Sequence, residues 1–277
     1  MSSIDKNSPL PDNHAMAQRI TIEERRNKIL SYINHHEKAD IQELSELVGS
    51  TEFTVRRDLI FLEKANAISR THGGAMKKDK AKSVWQTTNI NDRLEKNTIA
   101  KSNIAKAALE LINDNESIII DGGSTTQILA KGMTEKKNLL IVTNSPGIAE
   151  ILQSNESAEI FLLGGELIKE TFTVTGPDAE RNLEKYYVDK CILGVTGADP
   201  DIGCYAAIPS EASLKNLMIN HARESILVID STKFDRKAFC VAFPFEKVST
   251  IVTDEGIRPD IIEKLENKGV RVVVAKE

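Results

Sequence analysis

Two clusters of residues in this chain have types and spacings that can do chemistry. The first runs from Thr51 to Ala75, TEFTVRRDLIFLEKANAISRTHGGA, and holds the adjacent arginines Arg56 and Arg57, then Arg70, His72 and the glycines Gly73 and Gly74. The second is DGGSTT, Asp121 to Thr126, where Gly122 and Gly123 precede the hydroxyl residues Ser124, Thr125 and Thr126. An arginine fork bonds guanine O6 and N7 together or clamps a phosphate. Paired glycines let the backbone approach a ligand closely, and amides and hydroxyls at a helix start suit a phosphate or carboxylate. The first cluster therefore implies nucleic-acid recognition and the second anion binding.

The elements that must position the arginines are legible around them. Thr21 with Glu24 makes a capping-box pattern, and Ile22, Ile29 and Ile33 mark one face of a first helix. Asp40 caps a second helix that buries Ile41, Leu44, Leu47 and Val48, and Gly49 ends it in a left-handed conformation. Thr51 caps a third helix with a core stripe of Val55, Leu59 and Leu62. At about 100° per residue, Arg57 lies nearly opposite Val55 and points away from that core. A helix-turn-helix reads bases from the first turns of its second helix, where Thr54, Arg56 and Arg57 stand. The basic hairpin that follows reads as a wing. From Arg56 to Lys82, eight basic residues against three acidic ones leave +5, in a chain whose net charge is −5. The field that attracts phosphate is thus confined to this module.

With 277 residues, 40% hydrophobic and 28% charged, the chain accommodates a small module and one larger domain. Cys191, Cys204 and Cys240 lack metal spacing and read as reduced thiols of a cytoplasmic protein. No run approaches membrane-spanning length, and the polar N-terminus is not a signal peptide. The boundaries read as a disordered tail over 1–18, a DNA-binding domain over 19–76, a basic linker over 77–97 and a second domain over 98–277.

In that second domain, short apolar runs alternate with helical periodicity: Ser117–Asp121, Leu139–Thr143, Glu159–Gly164, Cys191–Val195, Ser225–Asp230, Ser249–Asp254 and Val270–Ala275. Continuous β-branched runs of this kind predict a parallel or mixed sheet covered on both faces. Ligands of such sheets lie beyond the carboxyl ends of the strands, where DGGSTT and the other Gly- and Ser-rich turns gather. DGGSTT is neither a Walker loop nor GxGxxG, so neither ATP nor NAD is expected. A helix is expected to begin near Thr126, and Glu211 with Lys215, four apart, reads equally well as a surface pair.

TVRRDL, LEK and RTHGGA resemble the N-terminal signature of the DeoR/GlpR family of bacterial winged-helix regulators. Asn66 stands where that family usually has glycine, and Ser50 where it tends to be apolar. The larger domain resembles the family's C-terminal sensor domain through DGGSTTQILA, TNS, LLGG, TGP, LGVTGAD, EASLK and DSTKF, with Thr232 in place of a more usual serine. The resemblance implies an α/β protein: an N-terminal winged helix-turn-helix plus an α/β sensor domain of the ribose-5-phosphate isomerase and coenzyme A transferase type. It implies DNA contacts from Thr51, Thr54, Arg56, Arg57, Arg70, His72 and Gly73. It implies that Gly123, Ser124, Thr125 and Thr126 hold a phosphate and that Asn144 and Gly165 line a sugar site. Asp121 and Gly122 belong to the same loop, and the resemblance implies that Asp199, Glu211, Lys215 and Lys233 supply the charged groups around the sugar; Phe172, Cys204 and Tyr205 are expected to tune sugar choice from their place near the glycine turns.

The function expected on these grounds is a transcriptional regulator, a repressor of a carbohydrate-catabolism operon, released from double-stranded operator DNA by a phosphorylated sugar and acting as a homo-oligomer, dimer or tetramer. The competing expectation is a phosphosugar isomerase with Glu211 as base and Lys233 steadying an enediolate. An isomerase has no use for a DNA reader, and fold does not imply function.

Overall fold

The computed structural model describes residues 20–64, 67–71, 73–77 and 87–276. The expectations for the tail, Asn66, His72 and residues 78–86 of the linker fall outside the described residues. The chain divides into two compact units, 1–81 and 82–277.

The first unit runs α1 (Ile22–His36), β1 (Lys38–Asp40), α2 (Ile41–Val48), α3 (Glu52–Lys64), β2 (Ile68–Arg70) and β3 (Gly74–Lys77). Both capping boxes form, Thr21 with Glu24 and Asp40 with Glu43, and Gly49 closes α2 at φ 61°. Val55, Leu59 and Leu62 of α3 meet Ile29, Ile33 and Leu44 in one core. Two expected core residues are not in it: Ile22 is 58% exposed and Leu47 is 40% exposed. Ile22 opens α1 about two turns before Ile29, the first buried residue of that helix, and Leu47 sits to one side of the Leu44–Val48 stripe. The hairpin β2–β3 is joined by β1 into a three-stranded antiparallel sheet ordered β1-β3-β2. Gly74 permits that third strand, because a Cβ there would stand 2.1 Å from the Ala39 carbonyl oxygen.

The second unit opens with α4 (Ile90–Leu94) and α5 (Thr98–Leu109), so residues expected to belong to the linker are built into it. Ile90 is buried and its N–H donates to the Glu170 carbonyl. There follow β4 (Ser117–Ile120), α6 (Ser124–Met133), β5 (Leu140–Thr143), α7 (Pro146–Leu152), β6 (Glu159–Leu162), β7 (Glu166–Ile168), β8 (Thr173–Thr175) and α8 (Pro177–Leu183). The remainder is β9 (Val188–Leu193), β10 (Gly197–Asp199), β11 (Gly203–Ala206), α9 (Pro209–Asn220), β12 (Ala222–Val228), β13 (Cys240–Phe243), β14 (Thr250–Asp254), α10 (Pro259–Asn267) and β15 (Arg271–Ala275).

All seven expected strands enter one wholly parallel sheet, ordered β15-β14-β12-β9-β4-β5-β6. Successive residues of β4 alternate between its faces. Ile118 and Ile120 pack with α5, α6 and α7 through Ile104, Leu129 and Ile148, while Ile119 joins Leu183, Met218 and Leu265 of α8, α9 and α10. From β4 the chain winds to one edge through β5 and β6, then returns to β9 and winds to the other. The gap between β4 and β9 is therefore the topological switch point, where open α/β sheets bind their ligands. The hairpin β7–β8 and the antiparallel sheet β10-β11-β13 are additions made of strands three or four residues long.

Candidate functional site

In the first unit the exposed face of α3 carries the arginines. Thr51 Oγ1 receives the Thr54 N–H at 3.4 Å and lies 3.0 Å from its hydroxyl, which fixes the start of the helix. Arg56 reaches Glu52 at 3.4 Å, whereas Arg57 extends over the Phe53 ring, 5.8 Å from its centroid. Both arginines are exposed, on the side away from Val55. Arg70 on β2 lies 3.6 Å from Glu63, and the Gly73 carbonyl accepts the Ile41 N–H at 3.0 Å, which ties the wing to α2.

One acid here plays a part its sequence position does not announce. Asp58 is 1% exposed and receives hydrogen bonds from Nε of Arg25 at 2.6 Å and Nε of Arg26 at 2.8 Å. It binds α1 to α3 and so holds α3 in place. The Arg26 guanidinium also covers the Phe61 ring at 3.7 Å.

In the second unit a cleft opens at the switch point. It is lined by Gly123 to Thr126 after β4, Gly194 and Val195 after β9, Val228 to Asp230 at the end of β12, Lys233, and Arg93 from α4. The α6 helix begins at Ser124, two residues earlier than its apolar pattern suggests. Its first helical bond is Gln127 N–H to the Gly123 carbonyl at 2.9 Å, so the amides of Ser124, Thr125 and Thr126 precede it and lack helical acceptors. Gly123 is the N-cap and has no side chain to serve them. Thr126 donates its hydroxyl to the Gly123 carbonyl. Among the described residues, the hydroxyls of Ser124 and Thr125 have no partner, although these residues are only 4% and 8% exposed.

The charge of the cleft is mainly positive. Among the described residues no carboxylate stands within ion-pair distance of Arg93 or Lys233. Burial pushes the Lys233 ammonium down to about 8; Asp230 works against this, and Arg93, Arg236 and Lys101 add to it. The one acid in the lining, Asp230, accepts from Asn97 Nδ2 at 3.1 Å and from the Thr232 hydroxyl. Lys101, itself 4% exposed, donates to the Arg93 and Lys96 carbonyls and clamps the end of α4. Two cations and the positive end of a ten-residue helix facing one small cleft could hold a compact anion.

The expected residues divide between three places. Gly123, Ser124, Thr125, Thr126 and Lys233 line the cleft. Asp121, Asn144 and Lys215 form a buried network behind it: Lys215 pairs with Asp121 and donates to the Gly194 carbonyl at 3.0 Å, while Asn144 accepts the Gly122 N–H at 2.9 Å. Glu211 and Lys215 are not a surface pair; they are 8% and 6% exposed, and Glu211 accepts from the Thr173 hydroxyl at 3.3 Å. Gly122 allows β8 to press on this loop, since a Cβ there would meet Thr173 Cγ2 at 2.2 Å.

Gly165 and Asp199 lie outside the lining. Gly165 packs against β8, and Asp199 is held by the Asp201 N–H at 3.0 Å and by Lys237 at 3.3 Å. Cys204 and Tyr205 are core residues of β11, and Phe172 is not in the lining either. Burial raises the Cys191 and Cys204 thiols well above their ordinary range. Arg93 and Asp230 are the charged lining residues not expected from the sequence, and Gly194, Val195, Val228 and Ile229 are further lining residues outside the expected set. Arg93 lay in a stretch read as linker, and the only signal for Asp230 was its place at the end of an apolar run.

Residues 25–81 match the family described as the DeoR-like helix-turn-helix domain, and residues 96–255 match the DeoR C terminal sensor domain. The chain belongs to the DeoR family. This DeoR-family protein is a DNA-binding transcriptional regulator and not an enzyme. It is similar to YulB, an HTH-type transcriptional regulator of Bacillus subtilis, at 34% identity over 91% of this chain and 96% of that one. It is 30% identical to the HTH-type transcriptional repressor GlcR of Bacillus subtilis over 92% of this chain and 97% of that one. It is 32% identical to the lactose phosphotransferase system repressor of Lactococcus lactis over 87% and 94% of the two chains. The likeness to ribose 5-phosphate isomerase A of Methanocaldococcus jannaschii is slight, with a TM-score of 0.37 and 15% identity over 50% of this chain and 55% of that one. It does not carry the isomerase reading, and Glu211, the base that reading needs, is not part of the cleft. No helix among the described residues is long and apolar enough to cross a membrane, and none of their His, Cys, Asp or Glu side chains gather into a metal-sized group.

Proposed function

We propose that this DeoR-family regulator represses a carbohydrate operon and leaves its operator when a phosphorylated sugar enters the cleft at the β4–β9 switch point. The observation that carries this reading is the convergence of Arg93, Lys233 and the uncapped start of α6 on one cleft. A phosphate monoester satisfies that set: its oxygens take the amides of Ser124 to Thr126, and its charge offsets both cations. The names of relatives, among them a lactose phosphotransferase system repressor, support a sugar-linked operon.

The protein acts as a homo-oligomer whose paired α3 helices grip two half-sites, and the sugar phosphate favours a state that does not fit their spacing. Such a ligand works only through its different affinity for the two states. The experiment is binding of the full-length protein to its own upstream DNA, at stated salt, with and without a panel of sugar phosphates. Release by one sugar phosphate, but not by the same sugar without phosphate, supports the proposal. Selective DNA binding that no phosphorylated sugar disturbs defeats it.

A further inference from the structure

Phe53 is 71% exposed and occupies the second position of α3, the helix whose first turns enter the major groove. It lies about 200° around the helix from Val55, so it projects straight away from the core of its unit. Among the described residues of that unit, its partner is the Arg57 guanidinium, one turn further along. The other exposed aromatic ring of α3, Phe61, is covered by Arg26 at 3.7 Å. A single exposed apolar side chain is ordinary on a protein surface. At this position it is not, because the surrounding side chains Arg56 and Arg57 are exposed cations on a base-reading face.

The major groove offers one apolar feature to such a ring, the C5-methyl group of thymine, and phenylalanine is among the side chains that contact it. We propose that Phe53 reads a thymine methyl in each operator half-site. The same ring holds Arg57 out toward the neighbouring bases. Four residues of helix span about 6 Å, which places the base read by Arg57 on the order of two base-pair steps from that thymine. Phe53 is thus a specificity residue that acts by apolar contact rather than by hydrogen bonding.

The test uses the full-length protein and an operator selected by it from random duplexes. Each thymine is replaced in turn by deoxyuridine, which removes the methyl group and nothing else. At one thymine per half-site the wild-type protein should lose about fourfold in affinity, the factor that burying one methyl group confers. Phe53→Ala should bind the unmodified operator more weakly and be indifferent to deoxyuridine at that position. Phe53→Leu, which keeps an apolar tip, should retain the discrimination in part. Any of these results overturns the proposal: no thymine position at which wild type and Phe53→Ala differ, wild-type operator affinity in Phe53→Ala, or failure to select any preferred duplex. A uniform loss on all duplexes, with the thymine effect unchanged, also overturns it and assigns Phe53 to protein contacts.

Discussion

Lys215 donates from its ammonium to the Asp121 carboxylate where both side chains are nearly sealed from water, at 6% and 2% exposure. The pair joins α9 to the end of β4, one residue before the glycines that open the cleft. Removing one partner strands a buried charge. Lys215→Met should therefore cost about 3–5 kcal/mol of stability, whereas Lys215→Met with Asp121→Asn should recover much of that loss. Denaturant unfolding of the full-length variants checks this, and a double variant no more stable than Lys215→Met would show that the stranded Asp121 charge is not the source of the loss.

Arg93 supplies the second cation of the cleft and has no acidic partner among the described residues. Arg93→Ala should weaken sugar-phosphate binding roughly ten- to a hundredfold, the range of one charge-assisted hydrogen bond. Operator affinity in the absence of sugar should be unchanged. Arg93→Lys should recover part of the loss, since the charge returns without the fork. Calorimetric titration with wild-type affinity in Arg93→Ala would remove this residue from the site.

Lys233 gives the site a pH dependence. Its ammonium is held down to about 8 by burial, so it is mostly charged at pH 7 and loses its proton as pH rises through 8. An anion bound beside it favours the charged form. Affinity should therefore be greatest between about 6, where a phosphate monoester takes its second charge, and 8, and should fall above 8. Binding at pH 8.5 should take up a proton, seen as a heat that depends on buffer ionisation enthalpy. Lys233→Met should bind more weakly and lose the decline above pH 8; an unchanged pH profile in that variant would refute the assignment.

Arg57 faces solvent over Phe53 and bears no ion pair among the described residues. Arg57→Ala should lower operator affinity by about five- to 150-fold if it reads a base. Sugar-phosphate binding should be unaffected, because the cleft lies wholly in the second unit. Undiminished operator binding would move base reading elsewhere on α3.

The parallel sheet was legible because strands buried on both faces must be continuous β-branched runs, and SIIID, LLIVT and VRVVVA are such runs. The helices of the first unit were legible through their caps, which are local and chemical. What escaped were features fixed by tertiary contact. Strands such as GAD and GCYA are too short and too small to stand out from turns. Nothing in the sequence beside Asp58 announces Arg25 and Arg26, which only the packing of α1 brings to it. Arg93 sits on a five-residue helix with no periodicity to read, and only its packing beside α6 reveals what it faces.

Gly123 leaves α6 without a side-chain acceptor for its first amides, so an anion bound there would complete the helix as well as fill the cleft. Ligand identity is thereby written into heat resistance. A molecule present at a hundred times its dissociation constant adds about 2.7 kcal/mol to the folded state, enough to shift a melting curve visibly. The natural signal of this regulator can accordingly be sought by melting the protein against a library of metabolites, with no DNA in the assay.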